Sequence, residues 1–313
     1  MKVLLTGGLG FIGRYVIMKL VGSNSVIVLS RNSAEKDSEH NMAAQITIEM
    51  GDVKDASRVK EVMKKYHPES VVHLAALTGI RKCNENPSLA FMTNLLGTYN
   101  VVMECVANGS KLIFVSSREV YGDTATTSTR EDAPLIPNNV YGVTKMLGER
   151  LVTWASSKYN LDYTILRLTN VYGPRGDKYN IQAMTWRALT KGRIQMFGGN
   201  QIMNLVYIED VADVIGRCLT SPRVSREIFN VGSNDNMSVK ELVSKIVSQL
   251  SIPVKIEKAS MRFGETLNFR PNLEKLEKTL GYRCPTDFST GLQKTIQWYE
   301  ELYRNSNGQD LMK

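Results

Sequence analysis

Apolar and polar residues alternate along the first half of the chain in a pattern that predicts strands separated by helices. The apolar run Val3 to Leu5 is followed by a glycine-rich turn and then by Phe11 to Leu20, whose apolar positions recur with helical spacing. Further strands are predicted at 25–29, 46–50, 70–76 and 111–115, and helices at 56–66 and 87–108. Elements alternating in this way predict an α/β fold, a doubly wound parallel sheet with helices on both faces.

The pattern loosens beyond Gly173 and Pro174, which predicts a smaller α/β C-terminal lobe. We expect residues 1–168 to form a dinucleotide-binding domain to which 205–235 returns, and 169–204 and 236–313 to form a substrate lobe. Short strands at 205–208 and 227–231 are predicted to return to the large sheet. Helices are predicted at 179–191, 238–250 and 288–303, and the polar stretch 32–45 is predicted to be a loop or a short helix.

The glycines after the first strand predict a dinucleotide site. Gly7, Gly10 and Gly13 allow a tight turn, a close approach of the backbone to a pyrophosphate, and close packing of the next helix on the strand. The pyrophosphate then lies at the N-terminus of that helix, so Phe11 and Ile12 are also expected to contact the cofactor.

The end of the second predicted strand bears on the choice of cofactor. An acidic residue at this point accepts hydrogen bonds from the 2'-hydroxyl of the adenosine ribose, whereas a nearby arginine accommodates a 2'-phosphate. The sequence offers Ser30, Arg31 and Asn32, and no acidic residue before Glu35. We therefore expect these three residues to bind the cofactor, and NADP to be preferred over NAD.

A serine, a tyrosine and a lysine are the candidate catalytic residues. Ser117 ends the fifth strand, and Tyr141 and Lys145 lie about one turn apart on the same face of a predicted helix. A neighbouring ammonium lowers the pKa of a phenol, which is normally about 10. Tyr141 is thus expected to take a proton from a sugar hydroxyl while Ser117 hydrogen-bonds the same oxygen and Lys145 holds the cofactor ribose.

Composition narrows the classes of function. The net charge of +8 comes from Lys and Arg residues dispersed among acidic ones, which fits phosphate-bearing small molecules better than nucleic acid. No run approaches the roughly 18 apolar residues of a membrane helix. The first residues already belong to a strand, so we expect no signal peptide and a cytoplasmic protein. The four cysteines and three histidines are scattered, and no metal site is expected.

Several longer motifs resemble the nucleotide-sugar epimerase/dehydratase family of extended short-chain dehydrogenases/reductases, in particular its UDP-glucose 4-epimerase-like members. The matching segments are TGGLGFIG at 6–13, GDV at 51–53, HLAA at 73–76, NLLGT at 94–98, SSREVYG at 116–122, YGVTK at 141–145, RLTNVYGPRG at 167–176, VYIEDVADV at 206–214, FNVGS at 229–233 and LGY at 280–282. The resemblance implies a Rossmann-type fold and a nucleoside-diphosphate sugar as substrate.

The resemblance also assigns further residues to the site. It implies cofactor contacts from Asp52, Val53, Leu74, Ala75, Ala76, Asn94 and Ser116. It implies substrate contacts from Thr78, Arg118, Asn170 and Arg262, and a catalytic role for Glu119. A second diphosphate-binding arginine typical of the family is replaced here by Met203. A homodimer built from the helices at about 87–108 and 140–158 is expected as well.

Three functions remain open at this point. The first is an NAD(P)-dependent nucleotide-sugar epimerase, which oxidises a sugar hydroxyl to a ketone and returns the hydride to the opposite face. The second is an NADP-dependent nucleotide-4-ketosugar reductase or a sugar 4,6-dehydratase. Arg118 counts against the dehydratase, because a guanidinium does not lose its proton in proteins. The third is a non-catalytic NADP-binding sensor.

Overall fold

A computed structural model describes residues 1–32, 46–124, 128–176 and 180–306. The main sheet of this part of the chain consists of β1 (Lys2–Thr6), β2 (Ser25–Ser30), β3 (Ile46–Met50), β4 (Ser70–His73), β5 (Lys111–Ser117), β6 (Tyr163–Leu168) and β10 (Glu227–Val231). The strands are parallel, in the order β3–β2–β1–β4–β5–β6–β10. The predicted α/β doubly wound fold is confirmed.

Helices cover both faces of this sheet because each central strand is apolar on both sides. Val3 and Leu5 of β1 point into one core, which also contains side chains of α1 (Phe11–Leu20) and α8 (Ile208–Thr220). Leu4, between them, points into the opposite core, with α2 (Ala56–Tyr66), α5 (Gly97–Asn108) and α6 (Val140–Tyr159).

The predicted helix 87–108 contains a wider turn. The chain forms α4 (Pro87–Phe91), one π-helical stretch at Met92–Leu96, and then α5. Such stretches occur mostly as single turns within α-helices and often lie at functional sites. Here the wide turn carries Asn94, whose side chain is buried beneath the loop that follows β4.

The second lobe is built from two small sheets and several helices. β7 (Asn170–Tyr172), β9 (Ile202–Tyr207) and β11 (Asn236–Ser238) form one sheet, and β8 (Arg193–Phe197) pairs with β12 (Lys255–Ala259) in the other. The helices of this lobe are α7 (Asn180–Lys191), α9 (Val239–Gln249), α10 (Glu274–Leu280) and α11 (Phe288–Asn305), whereas α3 (Ile80–Glu85) packs against α4 and α6 of the first lobe.

One strand prediction is wrong and another is confirmed. The strand predicted at 205–208 does not return to the large sheet, because β9 pairs with β7 and β11 instead. The strand at 227–231 does return, as β10 beside β6. The prediction for residues 32–45 lies outside the described residues except at Asn32. None of the helices in the described ranges combines the length and apolarity needed to cross a membrane.

Substituting Gly13 tests the close packing of α1 on the glycine turn. A Cβ at this position would lie 2.3 Å from the carbonyl oxygen of Gly8, which is rigid backbone. We expect Gly13→Ala to lower the free energy of unfolding by about 1–3 kcal/mol, the usual cost of overpacking. Urea denaturation of the purified variant measures this change.

Gly216→Ala is the matched control, because Gly216 lies within α8, the helix that packs against α1. A Cβ there meets its nearest neighbour, Cγ of Lys19, at an ordinary 3.5 Å. This variant should be unchanged or more stable by up to about 1 kcal/mol, the difference in helix propensity between alanine and glycine. Equal destabilisation by both substitutions would contradict the packing argument.

Candidate active site

The glycine turn fits the close approach of a dinucleotide. Gly7 has a φ of +70°, and a Cβ on it would lie 2.9 Å from the backbone of Ala75. Gly10 precedes α1 without a side-chain cap, so Phe11 and Ile12 open a helix whose N-terminus is available to an anion. The turn connects β1 to α1 and lies beside the carboxyl end of β4. The strand order reverses between β1 and β4, and α/β sheets bind their ligands at such a point.

The ends of β2 and β3 form the side of the site predicted to hold the adenosine. The hydroxyl of Ser30 is buried and accepts a hydrogen bond of 3.2 Å from the backbone N–H of Asn32. Arg31 and Asn32 are exposed. Asp52 accepts from the N–H of Lys54 at 3.0 Å, and Val53 is buried beside it.

The loop after β4 contains Leu74, Ala75 and Ala76, which are half-buried, and the exposed Thr78. Asn94, which is predicted to contact the cofactor, has its side chain bonded within the protein. Its amide oxygen accepts from the N–H of Leu77 at 2.7 Å, and its amide nitrogen donates to the carbonyl of Leu77 and to the hydroxyl of Thr144, both at 3.0 Å. Asn94 therefore positions the loop.

Ser116, which is also predicted to contact the cofactor, directs its side chain to α6. Its side chain is buried, and its hydroxyl donates to the carboxylate of Glu149 on α6 at 2.5 Å. Successive residues of a strand point to opposite faces, so Ser117 points the other way, towards Tyr141. The side chain of Ser116 thus lies in the core, and that of Ser117 lies in the candidate active site.

Ser117 and Tyr141 lie close together as predicted, and the hydroxyl of Ser117 acts on the phenol of Tyr141. The expected lowering of the tyrosine pKa by Lys145 is not found. Burial raises the pKa of Tyr141, the nearby Cys83 and Glu119 raise it further, and the hydroxyl of Ser117 opposes them. In the ligand-free protein Tyr141 is therefore a protonated phenol at neutral pH.

Lys145 is buried one turn after Tyr141. Its ammonium donates a 2.7 Å hydrogen bond to the carbonyl of Val115 on β5 and lies 4.8 Å from the ring centroid of Phe114. Burial lowers the pKa of Lys145 to about 8, although Glu149 and Cys83 act in the opposite direction. The lysine is thus held at the end of β5, where the predicted ribose would lie.

Glu119 lies in a buried polar cluster that links both lobes. One carboxylate oxygen is 2.7 Å from a guanidinium nitrogen of Arg118. The other accepts from the side-chain amide of Asn139 at 2.9 Å and from the hydroxyl of Thr266 at 3.4 Å. We call Arg118, Glu119, Asn139 and Thr266 the Glu119 cluster.

Sequence reasoning missed Asn139, although a signal for it exists. Asn139 is the N-cap of α6, and its amide oxygen accepts from the N–H of Gly142 at 2.9 Å. Asparagine is a preferred N-cap residue, so its place just before the helix could have been recognised. The same amide donates to the carbonyl of Gly264 at 3.1 Å, which brings the loop containing Arg262 to the site.

The residues predicted to contact substrate lie on several elements. Arg262 stacks its guanidinium 3.7 Å from the ring centroid of Phe197 and lies 3.5 Å from the carboxylate of Glu265. Burial lowers the pKa of Arg262. The charge of Glu265 raises this pKa, and the charges of Arg81 and Arg187 lower it further. Cationic side chains therefore converge here. Asn170 of β7 donates to the carbonyl of Asn204 at 2.9 Å.

Comparisons with known proteins identify the family. A model of the NAD dependent epimerase/dehydratase family matches residues 3–232. The chain is 27% identical over 310 residues to the UDP-glucose 4-epimerase of Mycolicibacterium smegmatis, and the alignment covers 96% of this chain and 98% of that protein.

Solved structures agree with this result. A UDP-glucose 4-epimerase from Thermotoga maritima with UDP-glucose superposes with a TM-score of 0.90 at 26% identity, covering 96% of this chain and 99% of that one. A dTDP-glucose 4,6-dehydratase from Streptomyces venezuelae with NAD bound also has a TM-score of 0.90 at 26% identity, covering 97% and 98%.

These findings do not support the predicted preference for NADP. The family is described as NAD dependent, and the dehydratase structure contains NAD. The prediction depended on Arg31, which is exposed just beyond the end of β2. An arginine at this point in the sequence is not sufficient for binding a 2'-phosphate, since an exposed side chain can equally extend into solvent.

The pKa of Lys145 leads to a pH-dependent stability. Between about pH 8 and pH 10 the unfolded chain keeps the lysine proton, whereas the folded protein releases it, so stability rises with pH through this window. Relative to Lys145→Met, the wild-type protein should gain about 1–3 kcal/mol of unfolding free energy over that range. Urea denaturation at several pH values measures the difference.

Lys158→Met serves as a control for the loss of a lysine from α6, because Lys158 is exposed near the end of the same helix. The difference in unfolding free energy between wild-type protein and this control should stay flat across the same pH range. A flat difference for Lys145→Met as well would show that burial does not perturb this lysine.

Proposed function

The chain belongs to the NAD dependent epimerase/dehydratase family of enzymes, and we propose that it is a nucleotide-sugar 4-epimerase acting on a UDP-hexose. The observation that carries this proposal is that Ser117, Tyr141 and Lys145 lie together at the carboxyl end of β5, on the same edge of the sheet as the glycine turn. This arrangement provides a proton-exchanging group next to the place where a dinucleotide fits.

We propose NAD as the cofactor, held by the backbone of the turn at Gly7, Gly10 and Gly13. When bound, NAD supplies a hydride acceptor that later returns the hydride. The side chains of Ser30 and Asp52 lie at the strand ends where the adenosine is expected, and Lys145 is placed for the ribose. Residues 1–168, together with α8 and β10 from the 205–235 segment, then form the cofactor domain.

Tyr141 exchanges one proton with the substrate in this mechanism. It takes the proton of the sugar hydroxyl as the ketone forms, and it returns that proton when the ketone is reduced from the other face. Ser117 holds the same oxygen. Burial raises the pKa of Tyr141, and Lys145 alone does not lower it, so the phenolate forms only when bound ligands bring further positive charge to the phenol.

The substrate is proposed to lie against residues 169–204 and 236–313. Arg262, with Arg187 nearby, offers positive charge to a diphosphate, and Arg262 already stacks on Phe197. Asn170 and Thr78 complete the proposed contacts. That the protein forms a homodimer and that it is located in the cytoplasm remain predictions.

A 4,6-dehydratase is the second candidate, because one such enzyme is as similar in structure as the epimerase. Its chemistry needs a carboxylate that removes a carbon-bound proton, and Glu119 is in place. However, Glu119 is paired with Arg118, so the geometry favours epimerisation. The hypothesis of a reductase depended on a preference for NADP, which the comparisons do not support. Membership of an enzyme family also favours an enzyme over a non-catalytic sensor.

The expected homodimer is supported by apolar side chains on neighbouring helices. Large exposed hydrophobic residues occur along α4, the π-helical turn, α5 and α6: Leu89, Phe91, Met92, Leu96, Tyr99 and Trp154. Aromatic residues and methionine are enriched at protein interfaces. We propose that two copies associate through these helices.

Tyr141→Phe tests the proposed proton transfer. Removing one hydroxyl should lower kcat for the interconversion of UDP-glucose and UDP-galactose by about 10²–10⁴-fold, the usual contribution of an acid-base group. Tyr159→Phe is the matched control at the exposed end of the same helix and should keep full activity. Turnover by Tyr141→Phe at the wild-type rate would refute the assignment.

Leu96→Glu tests the proposed dimer. Burying a carboxylate in an apolar interface should weaken association by at least about 2 kcal/mol. Analytical ultracentrifugation is expected to show a dimer for wild-type protein and a monomer for the variant. Ile252→Glu, at a comparably exposed site beyond α9, should remain dimeric. A wild-type monomer, or a dimeric Leu96→Glu, would contradict the proposed interface.

A further inference from the structure

The carboxylate of Glu119 is fully engaged within the protein. Glu119 is 6% exposed and Arg118 is 8% exposed, so their ion pair is shielded from water. The guanidinium occupies one oxygen, and Asn139 and Thr266 occupy the other. The guanidinium also lies 5.7 Å from the ring centroid of Phe269, which supports it from the second lobe.

Glu119 also lies close to the reacting position. Its charge acts on the phenol of Tyr141, and its carbonyl oxygen would lie 2.3 Å from a Cβ on Gly142, the next residue of α6. Asn139 caps that helix with one end of its amide and bonds Glu119 with the other. The carboxylate therefore has a fixed place relative to Tyr141.

A ketone formed on the sugar during the reaction would be open to a side reaction with a carboxylate this close to it. A carbon-bound hydrogen next to a carbonyl is acidic, because the enolate left behind is stabilised by the carbonyl oxygen. A free carboxylate within reach would remove that proton. If the following carbon carries a hydroxyl, the ketosugar then loses water instead of being reduced to the epimer.

We propose that Arg118 restrains Glu119 from acting as a base on the ketosugar, and so confines the reaction to epimerisation. This inference deepens the proposed function and rests on it for the presence of a ketone. Accepting a proton would neutralise Glu119 and leave the buried guanidinium of Arg118 without its counter-charge. Leaving that charge unpaired costs several kcal/mol, more than the ion pair itself is worth. Arg118 is thus a positioning residue that determines reaction specificity.

The side reaction that Arg118 prevents is an elimination without any change of redox state. Glu119 takes the proton from the carbon beside the ketone, and the electron pair of the C–H bond forms a double bond to the next carbon. The hydroxyl on that carbon leaves and takes up the proton from the Glu119 carboxylic acid, which forms water and restores the carboxylate. The products are an unsaturated ketosugar and water.

Hydrogen exchange of the ketosugar measures this restraint directly. The enzyme is incubated in D₂O with a UDP-4-ketohexose, which bypasses the first hydride transfer, and deuterium at the neighbouring carbon is measured by mass spectrometry. We expect Arg118→Ala to incorporate deuterium at least about tenfold faster than the wild-type protein, the lower range of general-base effects. Unsaturated ketosugar should accumulate with the variant.

Two controls show that Glu119 is the base. Arg118→Ala combined with Glu119→Gln should return the exchange to the wild-type rate. Arg130→Ala, which removes an exposed arginine paired with Asp132, should not accelerate it. If Arg118→Ala does not fold, Arg118→Met, which keeps an apolar stem beside Phe269, is used instead.

Rapid exchange by the wild-type protein, or acceleration that persists in the double variant, would overturn the inference. No acceleration in either Arg118 variant would do the same. Failure of the proposed function gives a separate result: the wild-type protein would form no epimer from UDP-glucose, while the ketosugar still showed the predicted dependence on Arg118 and Glu119.

Discussion

The buried ion pair between Glu149 and Arg167 fixes the helix on which the active site depends. Both side chains are 3% exposed, and the guanidinium donates to the carboxylate at 2.7 Å through Nη2 and at 3.0 Å and 3.1 Å through Nε. Tyr141, Lys145 and Glu149 follow one another at intervals of about one turn along the same face of α6. This face is bonded to the sheet at Glu149 by Arg167 and Ser116, and at Lys145 by Val115. Removing one partner would cost about 3–5 kcal/mol, because the other charge would remain buried and unpaired.

The same ion pair extends a hydrogen-bond network into the second lobe. Arg167 donates to the hydroxyl of Tyr121 at 2.7 Å, and Tyr121 donates to the side chain of Asn230 on β10 at 2.8 Å. Asn230 in turn donates to the carbonyl of Asn272 at 3.2 Å. The network and the Glu119 cluster approach the 264–272 segment from two sides. Together they hold the proposed sugar site between elements that are far apart in sequence.

Much of the fold follows from patterns within short segments of the sequence. The bounds of α1 and α2 were predicted correctly, because apolar spacing and flanking polar residues determine them locally. The glycine turn and the pair formed by Ser117 and Tyr141 could be predicted for the same reason. A strand overlapping β9 was predicted, but its sheet partners were not, because β7 and β11 come from separate parts of the chain. The side-chain bonds of Ser116 and Asn94 could not be predicted either, since the direction of a polar side chain depends on distant partners such as Glu149 and Thr144. The pKa of Tyr141 was predicted in the wrong direction, because burial and the charge of Glu119 outweigh a lysine whose ammonium is bonded to Val115.

The most direct test of the account follows one hydrogen through the reaction. UDP-glucose carrying deuterium at carbon 4 is converted by the purified enzyme without added reductant, and the label in the product is located by NMR. If the site oxidises and reduces the same carbon, UDP-galactose will form with the deuterium still at carbon 4. Deuterium at carbon 6 with loss of water, or its loss to released cofactor, would show that the protein is not an epimerase.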